Sequence, residues 1–188
     1  MGWRVRILFE YKAARLFRKC KKCWASLFSP RAIFYRIENA MEDAEVHVAV
    51  VVQKMVNADI AGVIFSVHPV TKDTNQMIIE AGFGLGEALV SGQITPDNYI
   101  VHKDSLDIVD TYIGHQKLKI QRDRDGKNET VELNSEQGSL RKLTDDQVKA
   151  LAQETLLIEK HYGFPVDIEW AMEDGKVYIT QARPITTL

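Results

Sequence analysis

The chain has 188 residues, 24 Lys+Arg against 26 Asp+Glu and 45% hydrophobic residues, which excludes a disordered or collagen-like polymer. Two cysteines cannot build a disulfide framework and point to a reducing, cytoplasmic setting. No apolar run approaches the ~20 residues a membrane helix needs; the longest, Val48–Val52, has only strand length, so no membrane partner is expected. The net charge of −2 hides an asymmetry: residues 1–36 hold ten Lys/Arg and one acid (Glu10), while residues 37–188 hold fourteen Lys/Arg and twenty-five acids.

From the N-terminus, Met1–Trp24 mixes apolar and basic residues in a pattern compatible with a helix from about Phe9 onward. Arginines interrupt any secretory core, and Arg6 stands where a myristoylation motif needs Ser or Thr. The shortage of acids would suit a transit peptide, but the stretch has no Ser. Contact with nucleic acid or anionic lipid is a reading of this stretch, and a helix with a solvated basic face is the favoured one. Cys20 and Cys23 form a lone CxxC with no second pair to complete a zinc set, which favours two ordinary helix cysteines.

Ser29-Pro30 signals a helix start, and the helix is expected over Arg31–Glu45 with Ile33, Phe34, Ile37 and Met41 turned to a core. His47–Lys54 reads as a buried strand, followed by strands at Ala61–Ser66 and Met77–Ala81 around a polar turn, Val70–Gln76. Gly82-Phe83-Gly84-Leu85-Gly86-Glu87 follows a strand and opens a short helical run. Such a loop can cradle phosphate on its amides, or it can be a tightly packed junction, and the pattern leaves both readings open. Asn98–His102, Ile108–Gly114 and Lys117–Gln121 extend the β pattern, ahead of a turn at Asp123–Gly126.

Thr144 and Gln147 form a capping box for a helix that ends near Gly163, a C-cap with Pro165 beyond it. Strands Val166–Met172 and Lys176–Ala182 then flank Glu173-Asp174-Gly175, a hairpin signal. Alternation puts Val166, Ile168 and Trp170 on one face and Asp167 with Glu169 on the other, and Gln181 and Arg183 share a face of the return strand. Their distances from the turn make Glu169 and Gln181 diagonal neighbours. Hard oxygen ligands of this kind suit Mg²⁺ and an arginine suits phosphate, while a surface hairpin with ordinary salt bridges fits the spacing equally well.

The chain from about Cys23 to Leu188 resembles the ATP-grasp nucleotide-binding domain of phosphoenolpyruvate synthase and its relatives. The resemblance is carried by CWASLFSPRAIFYR (Cys23–Arg36), VVVQKMV (Val50–Val56), AGVIFSVHP (Ala61–Pro69), GFGLGEALVSG (Gly82–Gly92), PDNYIV (Pro96–Val101), HYGFPVDIEWA (His161–Ala171) and YITQARP (Tyr178–Pro184). Pyruvate phosphate dikinase is similar, but DIEWA with QARP favours the synthase branch or its antibiotic-phosphorylating cousins. The resemblance implies an α+β, ATP-grasp-like lobe with a mainly antiparallel sheet and flanking helices, truncated at its N-terminus. Residues 1–22 would be a divergent basic leader and 23–188 the lobe.

By the same resemblance Glu169 and Gln181 match Mg²⁺-ATP ligands, Arg183 the arginine facing the phosphates, and Asp167 a supporting acid. Gln53, Lys54, Met55 and Val56 match the hinge strand whose backbone holds the adenine edge. The family's preceding subdomain supplies a Lys, an Arg and a glycine-rich phosphate loop, and no counterpart is present. None of His47, His68, His102, His115 and His161 lies in a Thr-Ser-His phosphohistidine motif, and the pyruvate-binding barrel is missing. The expected function is therefore the ATP-binding lobe of a phosphoenolpyruvate synthase-like phosphotransferase, not catalytic alone. Its expected partners are ATP and the missing lobe and phosphohistidine domain on another chain, or a second copy. The alternatives are a non-catalytic nucleotide-binding or regulatory remnant and a basic-arm nucleic-acid module, the latter disfavoured.

Overall fold

The computed structural model describes residues 6–8, 13–41 and 45–186. The chain divides into two compact units, Met1–Met55 and Val56–Leu188. Among the described residues no helix is long and apolar enough to cross a membrane.

In the first unit, β1 (Arg6–Leu8) runs parallel to β2 (Val51–Gln53), and the helices α1 (Ala13–Ala25) and α2 (Pro30–Glu38) flank a 3₁₀ turn at Ser26–Phe28. Ser29 caps α2 by accepting the Ala32 amide, with Pro30 in the first turn, as its Ser-Pro signal implies. The expected span Arg31–Glu45 is corrected: α2 stops at Glu38, because Ala40 takes a left-handed conformation (φ 50°) that ends the helical hydrogen-bond run. The expected core positions are corrected too. Ile33, Phe34, Ile37 and Met41 are exposed, and Ala32 is the side chain that α2 buries. Of the expected strand His47–Lys54, Val51–Gln53 forms, with Val51 and Val52 exposed rather than buried. The start of α1 expected near Phe9 lies outside the described residues.

The second unit is built on a six-stranded antiparallel sheet in the order β10-β9-β3-β4-β5-β6. These strands are β3 (Ile60–Phe65), β4 (Gln76–Phe83), β5 (Asp97–His102), β6 (Ile108–Tyr112), β9 (Val166–Glu173) and β10 (Lys176–Pro184). Short helices α3 (Glu87–Val90) and α4 (Ser135–Gly138) bracket a hairpin of β7 (Leu118–Arg122) with β8 (Asn128–Glu132). Helix α5 (Asp145–Tyr162) begins in the Thr144/Gln147 capping box and ends on Gly163 at φ 74°. It presents Val148, Leu151, Ala152 and Thr155 at i, i+3, i+4 and i+7 to one face of the sheet. That face supplies Ile64, Ile79, Tyr99, Ile168 and Trp170, which complete the core.

Two buried polar arrangements set the loops around the sheet. The Asp97 carboxylate, without exposure, pairs with the equally buried Lys142 ammonium at 2.9 Å and accepts from the Gly114 and Lys142 amides and the Tyr99 hydroxyl at 3.0, 2.8 and 2.8 Å. Burial, followed by the hydrogen bond to Asp97, pushes the Tyr99 phenol up to about 12. At the other end of the sheet, Lys103 pairs with Glu159 at 2.8 Å. Glu159 also accepts from Ser66, whose hydroxyl takes the Val166 amide, so the end of α5 fixes where β9 begins.

The structure shows how three amides of the glycine-rich loop are used. The Phe83 amide donates to the buried Gln116 side chain, Gly84 to the Asp59 carbonyl and Leu85 to the Ile120 carbonyl, at 2.9, 2.8 and 2.7 Å. Gly84 has φ +85°, and a Cβ there would collide with the Ile120 carbonyl oxygen. These three amides serve packing and are turned to the protein's own carbonyls, so a phosphate cradle does not form on them.

Candidate functional site

The face of the sheet away from α5 carries the acids of the last hairpin. Because β9 alternates strictly, burying Val166, Ile168, Trp170 and Met172 against α5 turns Asp167 and Glu169 to the opposite side. A two-residue turn with Asp174 at φ 51° and Gly175 at φ 75° leads into β10. Gln181 then stands directly opposite Glu169, and Arg183 directly opposite Asp167, a correction to the expected diagonal arrangement. The physical reason is a register shift between Ile179 and Gln181, which carries the far half of β10 one residue along.

All four hairpin residues expected at a ligand site are therefore brought together. The Arg183 Nε and Nη2 both donate to Asp167 Oδ2, at 2.7 and 2.6 Å. Asp167 is buried while the Arg183 side chain is 62% exposed, so the acid anchors a guanidinium that reaches out toward solvent. The Gln181 amide donates to Glu169 Oε1 at 3.3 Å, and Thr180 Oγ1 donates to the Glu169 carbonyl at 3.0 Å. Of the hinge residues, Gln53 closes β2, Gln53, Lys54 and Met55 belong to the first unit, and Val56 opens the second.

One residue of this face was missed by sequence reasoning. Across β3, Glu169 stands opposite Val63, and Val63 opposite Glu80 on β4, so the two acids share a row. Burial first, and the nearby Asp167 carboxylate second, raise the Glu80 pKa above its ordinary 4.5. The signal was present in the sequence: Glu80 is an acid between Ile79 and Ala81 inside an otherwise apolar strand.

Among the described residues no three His, Cys, Asp or Glu gather into a metal-holding group. Glu169 and Gln181 nonetheless fit a hard divalent cation as a pair. A carboxylate and an amide oxygen are the donors Mg²⁺ takes, and Mg²⁺ fills its remaining positions with water and phosphate oxygens.

Residues 4–188 match the family described as pyruvate phosphate dikinase, AMP/ATP-binding domain. The chain belongs to the phosphoenolpyruvate synthase/pyruvate phosphate dikinase family. It is 47% identical over 176 residues to a probable phosphoenolpyruvate synthase of Methanocaldococcus jannaschii, covering 94% of this chain and 15% of that protein. It is 50% identical over 170 residues to a probable phosphoenolpyruvate synthase of Archaeoglobus fulgidus, covering 90% and 22%. A rifampicin phosphotransferase of Bacillus subtilis is 42% identical over 167 residues, covering 89% and 19%. The chain thus spans between 15% and 22% of the length of these three relatives. Within the family, the row of Asp167, Glu169, Gln181 and Arg183 lies in the matched stretch, as does Glu80.

Proposed function

We propose that the chain supplies an ATP-grasp-type, Mg²⁺-ATP-binding part of a phosphoenolpyruvate synthase-like phosphotransferase. The observation that carries this reading is the paired register of β9 and β10, which sets a carboxylate–amide pair beside an anchored arginine on one sheet face. Glu169 and Gln181 would hold the cation, which neutralises charge on the nucleotide phosphates when bound. A half-turn of the Gln181 side-chain amide presents its oxygen instead of its nitrogen. Arg183, held by Asp167, directs its exposed donors to the same phosphates, and the buried acid limits how far the guanidinium can swing.

In the whole reaction ATP, pyruvate and water would give AMP, phosphoenolpyruvate and phosphate through a phosphohistidine on another domain. That domain and the other ATP-grasp lobe would come from sequence outside this stretch or on a partner chain. Support comes from the relatives named phosphoenolpyruvate synthase and from the small share of their length that the chain matches. On this reading residues 1–188 alone bind nucleotide and do not turn it over.

The test is thermal protection by Mg-ATP. A ligand at one hundred times its Kd adds about 2.7 kcal/mol, which for a chain of this size raises Tm by about 5–10 °C. Glu169→Ala is expected to abolish the shift, and so is chelation of the cation. An unshifted wild-type Tm at millimolar Mg-ATP would defeat the proposal.

A further inference from the structure

We propose that β10 contains a one-residue register switch at Thr180, and that Thr180 is the positioning residue that turns Gln181 and Arg183 to the ligand face. The inference rests on the nucleotide reading of that face. The two-residue turn fixes the first half of the hairpin, with Glu173 opposite Lys176, Met172 opposite Val177 and Trp170 opposite Ile179. Continued in that register, Thr180 would face Glu169 and Ala182 would face Asp167. Gln181 and Arg183 would then stand opposite Ile168 and Val166, on the side that α5 fills. Instead Gln181 stands opposite Glu169, Ala182 opposite Ile168 and Arg183 opposite Asp167.

Thr180 is the residue taken up in the shift, and its hydroxyl fastens to the Glu169 carbonyl at 3.0 Å. The same slip is written in the apolar pattern. In β9 Val166, Ile168, Trp170 and Met172 alternate without interruption, whereas in β10 Val177 and Ile179 are followed by Ala182 and Pro184, out of phase by one. A strand in strict phase can match a strand with a slipped phase only through an extra residue. The regular register would turn the Gln181 amide and the Arg183 guanidinium to the apolar face of the sheet, away from Glu169 and Asp167. The turn thus sets one phase, the ligand face needs the other, and Thr180 reconciles them.

The test exchanges the two neighbours, Thr180→Gln with Gln181→Thr, leaving composition unchanged. Mg-ATP affinity by calorimetry is expected to fall at least about tenfold, as far as in Gln181→Ala, with the ligand-free Tm within about 2 °C of wild type. Wild-type affinity in the exchanged chain would overturn the proposal, because the residue order at 180 and 181 would then not matter to the ligand face. A nucleotide-independent readout separates this from the site reading. Cross-strand backbone proton contacts by NMR between residues 167 and 183 support the switch, and contacts between 166 and 183 in their place overturn it. If Gln181→Ala leaves binding untouched, the ligand reading fails while the NMR contacts still decide the register.

Discussion

Removing the Asp97 carboxylate tests whether the loops beside the sheet are set by a buried charge network. In Asp97→Ala, the Lys142 ammonium, wholly buried, keeps the Gly114 and Gly138 carbonyls at 2.7 and 3.2 Å and the Phe83 ring at 5.2 Å but loses its counter-charge. The Gly114 and Lys142 amides lose their acceptor in the same step. Breaking one side of a buried pair costs about 3–5 kcal/mol, and each orphaned buried donor about 1–3 kcal/mol. These terms overlap, so the expected loss is about 4–6 kcal/mol, a large part of the ~5–15 kcal/mol that holds a domain together. At about 2–4 °C per kcal/mol for a chain of this length, Tm should fall by about 10–20 °C. Urea unfolding should show a lower midpoint at an unchanged slope. The double variant Asp97→Ala/Lys142→Met removes both charges and should recover about 2 kcal/mol relative to the single change. A single-variant loss below about 1 kcal/mol, or no recovery in the double, would refute the argument.

Other consequences are sharper in direction than in size. The raised Glu80 pKa means that the folded state holds that proton more tightly than the unfolded state. Stability from this group is then full below the ordinary carboxylate pKa and falls as pH rises through the folded value. Glu80→Gln should therefore raise stability at pH 7 and flatten its decline above pH 4.5, read by Tm across a pH series; an unchanged pH profile would remove the assigned cause. Gly62→Ala would drive a methyl into the Glu80 carbonyl oxygen and to within 2.7 Å of the Trp170 ring. A loss of at least about 3 kcal/mol by urea titration is expected, at or above the usual cost of overpacking; a loss under 1 kcal/mol would show that β3 and the Trp170 ring separate easily. Arg183→Lys keeps the charge but loses the two-donor grip on Asp167, so weaker Mg-ATP binding at unchanged Tm is expected by calorimetry.

Local patterns carried much of the second unit. The capping box at Thr144, the left-handed Gly163 and the alternation of β9 depend on neighbours a few residues away, so their geometry is legible in the sequence. The first unit was less legible. The periodicity of Ile33, Phe34 and Ile37 is helical, and the helix formed, but periodicity does not specify what lies against a face, and these side chains are exposed. Glu80 joined the acids of β9 only through the pairing of β4 and β9 with β3, which brings residues almost ninety positions apart onto one row.

The amino-acid sequence by itself determined the family, the antiparallel character of the sheet and the residue types on the hairpin face away from α5. Its charge split remained a statement about composition. Tertiary structure decided that Asp97 and Lys142 are a buried pair rather than surface charges, that the Phe83, Gly84 and Leu85 amides are occupied, and that Gln181 meets Glu169 squarely rather than diagonally. The physical reason is common to all three. Secondary structure follows from local sterics and periodicity, whereas burial and strand register depend on which distant segment supplies the partner.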